Sequence, residues 1–329
     1  MSPPAGVTIL GSGMFVPDRV LTNFELEKMV DTSDQWIAQR TGIRQRHICA
    51  EGDTTASMGA AAAADALSDA GLDPADLDLL ICATLTQDMI CPATACQIVD
   101  RLGAVPCGAM DIAVACSGFV AGLNLAANCV ASGMYRNVAV IGAELLSRII
   151  DWEDRGTCIL FGDGAAAAIV GATDDPDRRC LFQRMHSDGS RWRELYCPRS
   201  EADVPPDGVF NGKLDTLQMN GREVYKFAVT TFQNVIRDAM EATGLTPEDV
   251  KMVIPHQSNR RIIDSARQKL GLPEEKVYVN LDRYGNTSAA SVGICLHELR
   301  QAGRLETGDK VIFVAFGGGL TWASSVWQL

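Results

Sequence analysis

Three side chains in this sequence have the types and settings for acyl chemistry: Cys116, His256 and Asn286. Cys116 ends a short apolar run that begins after Asp111, and the small residues Ser117 and Gly118 follow it at once, so a strand turning sharply into a helix is expected. A cysteine at a helix start meets unpaired N–H groups and the positive end of the helix dipole, both of which favour its thiolate. Among four histidines only His256 follows an apolar run, Met252 to Pro255, and precedes an amphipathic helix. A thiolate can attack an activated carbonyl and hold the acyl group as a thioester. Water can then release that group, as in a hydrolase, or a carbon nucleophile can take it while imidazole and amide N–H groups steady an enolate oxygen. Residue types leave both outcomes open. Taken alone, a free cysteine is most often a small buried residue, and Cys116 stands out among eleven only through the company of His256 and Asn286.

A fourth feature is the run Phe316–Gly319, with three successive glycines after an apolar stretch. Glycines let backbone approach a reacting atom and aim N–H groups at it, as an oxyanion hole requires. The plainer alternative is a tight connection between two strands.

The elements that must position these groups repeat. A helical stretch stops at Gly71, a turn carries Pro74, and an apolar strand contains Ile81. The same order recurs at Gly244, Pro247 and Ile254, each 173 residues later. Asp65-Ala66 and Asp238-Ala239 keep that offset, as do the strands beginning at Val138 and Val311. Glycine as helix stop and proline at a helix start explain the punctuation, and several matches at one offset point to an internal duplication. Each half reads as parallel strands joined by crossover helices, with the join near Gly171 to Arg179, giving halves 1–175 and 176–329. Ligands of open α/β sheets bind beyond the carboxyl ends of strands, where Cys116 and His256 are placed. The counterpart of Cys116 is Ala289, in the run that follows Asn286, so one site built from both halves is expected.

Composition narrows the class. A net charge of −12 opposes non-specific nucleic-acid binding. Eleven cysteines without regular spacing suggest neither a disulfide framework nor a zinc site, and hence a reducing, cytoplasmic setting. Met1 to Pro4 lacks a basic n-region, so no signal peptide is expected. The uncharged run Ile112 to Tyr135 is long enough to raise a membrane span, but Ser117, Asn124, Asn128 and Ser132 are spread through it, and a core helix is the better expectation.

The motifs together are specific. The segment Asp31 to Arg44, the Cys116 turn, Gly162 to Ala165, His256 to Asn259, Tyr284 to Ser291 and Phe316 to Gly319 resemble the β-ketoacyl-acyl carrier protein synthase III family over nearly the whole chain. That resemblance implies the thiolase fold, two duplicated α/β halves in a layered αβαβα sandwich, and a homodimer. It implies a cycle in which Cys116 takes an acyl group from acyl-CoA, CoA leaves, and malonyl-acyl carrier protein binds and loses carbon dioxide. The enolate, held by His256 and Asn286, then attacks the thioester. No metal or redox cofactor is implied, since CoA thioesters are substrates. The backbone N–H groups of Cys116 and Gly318 correspond to the oxyanion hole. Trp36 and Arg155 would sandwich the adenine of CoA, with Thr32, Arg40 and Asn259 nearby; without the resemblance, Trp36 reads as a partly packed surface residue. Phe161 and Phe316 would border the acyl pocket. Lys226, Arg260, Arg261 and Arg267 would receive the acidic carrier protein, although a basic helix face is equally a solvated one. Cys91, at a position often filled by a bulky Phe that reaches across the dimer, leaves room for a longer or branched primer. Tyr225 also departs from a usual Phe near the CoA channel. Alternatives are a related condensing enzyme of secondary metabolism, a cysteine thioester hydrolase, and a non-catalytic CoA-binding protein. A biosynthetic thiolase would need a second cysteine in the Phe316–Gly319 loop, and there is none.

Overall fold

The computed structural model describes residues 3–329; Met1 and Ser2, part of the segment read for a signal peptide, lie outside the described residues. Two mixed sheets carry the chain. The first contains β1 (Gly6–Phe15), β2 (Leu79–Ala83), β3 (Gly108–Ile112), β4 (Asn137–Glu144) and β5 (Gly164–Thr173), in the order β1-β5-β4-β2-β3. The second contains β6 (Arg179–Ser187), β7 (Met252–Pro255), β8 (Lys310–Gly317) and β9 (Thr321–Gln328), in the order β6-β9-β8-β7. Matched strand for strand, the two orders are the same, and an isolated bridge from Val253 to Val277 stands where β3 has its counterpart.

The parallel pairs in these two sheets are β2 with β3 and β4, and β7 with β8. The remaining ladders are antiparallel. The expectation of parallel strands throughout is therefore too simple. The three residues between β8 and β9 are too few for a crossover, which needs a dozen or more, and they close a hairpin instead.

Seven helices matter for the site: α1 (Asp34–Thr41), α2 (Thr55–Ala70), α3 (Thr94–Leu102), α4 (Gly118–Ala131), α5 (Gly221–Thr243), α6 (Arg260–Lys269) and α7 (Ala290–Gln301). Helices α2 and α3 cover the outer face of the first sheet, α5 packs with α6 over the second, and α4 and α7 lie between the sheets, touching both. The layers are thus αβαβα. The uncharged run becomes α4, buried along most of its length because apolar sheet meets it on both sides. No helix among the described residues is long and apolar enough to cross a membrane.

Local signals set the ends of these helices. The Thr54 hydroxyl accepts from the Ser57 N–H to start α2, and Gly71, in the left-handed conformation, stops it. Gly244 stops α5 in the same way. The sharpest correspondence lies at the turns into α4 and α7. Ala115 and Ser288, 173 residues apart, both have positive φ, 47° and 48°, a strained conformation for residues with a Cβ. The duplication therefore preserves a bent turn, and one copy presents Cys116 while the other presents Ala289.

Candidate active site

Cys116 sits where two cavities meet. One, of about 520 Å³, is lined by Leu85, Thr86, Leu146, Ile149, Leu217 and Gly318 among others. The second, about 100 Å³, is lined by His256, Asn286, Phe316, Ser258 and Asn259. Cys116, Phe161 and Leu195 border both. The Cys116 turn belongs to the first sheet's unit and His256 and Asn286 to the second, so the fold brings the three groups to one cavity from opposite halves.

The thiol differs from the local expectation. Cys116 lies in a single 3-10 turn ahead of α4 and is 7% exposed. Burial pushes it up to about 12; the neighbouring Ser288 side chain and the local backbone relieve this only in part, and the Glu144 charge adds to it. The resting group is therefore a thiol, not a thiolate, because desolvation outweighs the helix-start effect.

His256 sits at the end of β7, its ring edge-on to Phe316 with centroids 5.5 Å apart. The Ser291 hydroxyl donates to the Ser288 carbonyl at 2.9 Å, so its oxygen must accept from His256 Nδ1–H at 2.7 Å. That fixes the tautomer and leaves the Nε2 lone pair free. Burial also pulls the imidazole down to about 3, so it rests neutral and can accept a proton. Asn286 is clamped through its backbone to Leu160 and Gly162 of the first half. Its Oδ1 accepts from the Ser288 N–H at 2.9 Å, leaving the NH2 group as a donor.

The glycine run closes against Cys116. A Cβ on Gly317 would come within 2.6 Å of the Cys116 backbone nitrogen, whereas one on Gly318 would first meet the Leu195 carbonyl oxygen at 3.2 Å. Gly318 lines the larger cavity. The run is a hairpin turn, as the plainer expectation had it, and it lies against Cys116.

At the surface, Trp36 on α1 is 36% exposed, with the Arg155 guanidinium carbon 5.3 Å and that of Arg40 5.7 Å from its ring centroid. Arg155 also donates to the Asp31 carbonyl. The Thr32 hydroxyl is buried without a partner among the described residues. Asn259 joins α6 to this region, accepting from the Arg261 N–H and donating to the Arg40 carbonyl. Cys91 is exposed and lines neither cavity of its own chain. Of the four cations expected from the resemblance to meet a carrier protein, Arg260 pairs with Asp264 and Glu274, Arg267 with Asp264, and Lys226 with Glu223; Arg261 has no ion pair among the described residues. The sequence reading missed Ser291, Gly317 as distinct from Gly318, and the buried Glu144. Only the last, an acidic residue ending the otherwise apolar strand from Val138, carried a visible signal.

Comparison with known proteins gives the family. Residues 110–189 match the family described as 3-oxoacyl-acyl-carrier-protein synthase III, and residues 240–329 match its C-terminal part. The chain is similar to the β-ketoacyl-acyl-carrier-protein synthase III of Caldanaerobacter subterraneus subsp. tengcongensis, 51% identical over 97% of this chain and 96% of the relative. Its fold superposes on the crystal structure of 3-oxoacyl-acyl-carrier-protein synthase III from Aquifex aeolicus with a TM-score of 0.91 and 45% identity, covering 98% of this chain and all of that one. It also superposes on the priming β-ketosynthase of the R1128 polyketide pathway, with a TM-score of 0.91 and 36% identity, covering 100% of this chain and 98% of that one. With thiolase-fold neighbours and relatives of nearly equal length, the chain belongs to the β-ketoacyl-acyl carrier protein synthase III family.

Proposed function

We propose that this enzyme condenses an acyl-CoA primer with malonyl-acyl carrier protein to give β-ketoacyl-acyl carrier protein, starting fatty-acid synthesis through an acyl-Cys116 intermediate. The observation that carries the proposal is the convergence of Cys116, His256 and Asn286 where the two cavities meet. Neither a lone thiolate nor a lone imidazolium is stable in this buried setting, so the Cys116 proton passes to His256 Nε2 as the sulfur attacks the CoA thioester. CoA leaves as a thiolate and takes that proton back from His256, and His256 takes another from water only as the malonyl donor binds. The malonyl carboxylate brings the negative charge that a buried imidazolium needs. As carbon dioxide departs, His256 Nε2–H and the Asn286 NH2 group donate to the enolate oxygen, and the N–H groups of Cys116 and Gly318 hold the oxyanion formed on attack. Collapse releases Cys116 as a thiolate, which recovers its proton from His256. CoA thioesters are substrates here, and neither a metal nor a redox cofactor has a step to perform.

Trp36 and Arg155 part to take the adenine, with Thr32, Arg40 and Asn259 around the nucleotide, and Arg261 leads the recognition of the carrier protein with Lys226, Arg260 and Arg267. The 1–175 and 176–329 halves each supply part of the site. A cytoplasmic homodimer fits the exposed Ile90 and Val105 and the largely uncovered edge strand β3; Cys91 of one subunit would then border the pocket of the other. The 520 Å³ cavity together with the small Cys91 favours primers longer or more branched than acetyl.

Turnover of acetyl-, butyryl-, isobutyryl- and octanoyl-CoA with malonyl-acyl carrier protein, read by product mass, tests this proposal. Ketoacyl products and an adduct that vanishes in Cys116→Ala are expected. Continuous acyl-CoA hydrolysis without the malonyl donor would instead identify a hydrolase, and strict acetyl preference would reject the primer argument.

A further inference from the structure

Glu144 ends β4 with no exposed surface, and none of the ion pairs among the described residues includes it. Its two oxygens are not equivalent. Oε2 accepts from the Leu85 N–H at 3.1 Å and the Thr86 hydroxyl at 2.8 Å, with the Thr84 hydroxyl at 3.4 Å. Oε1 accepts from the Ser288 hydroxyl at 3.0 Å. Ser288 lines the larger cavity together with Cys116, and its hydroxyl proton is given to Glu144 rather than to the Cys116 sulfur. A serine hydroxyl has one proton to donate, so the Glu144 carboxylate and the sulfur compete for it.

We propose that Glu144 is a positioning residue acting through Ser288: when Glu144 is protonated, its Oε1–H donates to the Ser288 oxygen and frees the Ser288 proton for the Cys116 sulfur, and when it is ionised, it holds that proton away. The deprotonated state also opposes the thiolate by its charge. This rests on Cys116 as the nucleophile but not on which acyl group it carries. Burial lifts Glu144 to about 7 against the hydrogen bonds that favour its charge, so both states are populated near neutrality. The ionisable groups that feel its charge are Cys82 on β2 and Cys116, and Cys82 in turn feels Asp88 on the loop after β2 and Asp111 on β3. Arg148 satisfies Asp88 at 3.1 Å, and Asp111 is held by the N–H groups of Thr94 and Ala95.

Glu144→Gln imitates the protonated state. The donors at Oε2 keep the amide oxygen on their side and turn its NH2 group toward Ser288. Alkylation of Cys116 by iodoacetamide from pH 5.5 to 9.5, read by peptide mass spectrometry to separate Cys116 from the exposed Cys91, Cys96 and Cys197, tests the switch in the full-length protein. In Glu144→Gln the apparent pKa of Cys116 falls by about one unit, so alkylation at pH 8 is about tenfold faster. In a Ser288→Ala background the same change shrinks below about threefold, since the coupling runs through the hydroxyl. Ser288→Ala alone slows alkylation at pH 6 and leaves it unchanged at pH 9, a pattern that carries the test if Glu144→Gln is not recovered folded. An unchanged or slower Glu144→Gln, an equal effect in the Ser288→Ala background, or a Ser288→Ala effect independent of pH overturns the proposal.

Discussion

Replacing Gly317 by Ala tests how closely the last strands hold the nucleophile. The added methyl carbon would lie 2.6 Å from the Cys116 nitrogen and 3.1 Å from the Cys116 and Ala115 Cβ atoms. Non-bonded heavy atoms settle at about 3.5 Å, so β8 or the Cys116 turn must give by nearly that shortfall, about 1 Å. Neither yields easily: β8 is paired on both sides, with β7 and β9, and Ala115 already sits at φ 47°. A misplacement of about 1 Å costs roughly 100-fold in rate, equivalent to about 2.7 kcal/mol, and overpacking costs a further 1–3 kcal/mol or so of stability. Quench-flow measurement of acyl-Cys116 formation in Gly317→Ala should thus show a loss of about two orders of magnitude, with Tm lowered. Gly318→Ala is the control. It keeps its backbone N–H, first meets an atom at 3.2 Å, and should lose less than about tenfold on steric grounds. Acylation by Gly317→Ala within about threefold of wild type would refute the idea that this glycine sets the position of Cys116.

Three further outcomes follow from the same structure. Trp36→Ala should raise KM for acyl-CoA about tenfold, from the loss of roughly 1–3 kcal/mol of base stacking, with little change in KM for the malonyl carrier; an unchanged acyl-CoA KM removes Trp36 from the nucleotide site. Arg261→Glu should raise KM for malonyl-acyl carrier protein about fivefold in low salt and less in high salt, leaving acyl-CoA unaffected; an equal rise for both substrates points to a general disturbance of α6. His256 is neutral when folded, down at about 3, so between pH 6.5 and 3 the unfolded chain takes up a proton that the folded one refuses. Its stabilising contribution, on the order of 5 kcal/mol at full effect, is present above pH 6.5 and fades as pH falls, and denaturant titrations should show a shallower acid limb in His256→Gln.

Much of this could be read from the residues because the relevant signals are local. Gly71 and Gly244 stop helices wherever they fold, and repetition at one spacing exposed the duplication before any contact was known. Cys116, His256 and Asn286 likewise announce themselves by type and neighbours. What remained hidden depends on packing across the halves. A helix start argues for a thiolate at Cys116, but burial by the second half reverses the balance. Three successive glycines look alike until the register of β8 sets one of them against the Cys116 nitrogen. Ser291 carries no sign of its role, because its hydroxyl acquires a direction only when α7 meets β7. The ion pairs of Lys226 with Glu223 and of Arg260 with Asp264 lie three and four residues apart on their helices and were within reach of the sequence, which leaves Arg261 as the cation most available to a partner.

The hairpin of β8 and β9 gives the order of synthesis a chemical meaning. Cys116 leaves the ribosome long before residues 310–328, yet its backbone is braced by Gly317 and its base stands on a strand that pairs with β8. A chain broken off before this hairpin carries Cys116 and His256 but lacks both the brace and the strand against which β7 pairs. Assembly of the site thus waits on the pairing of the last strands to be made.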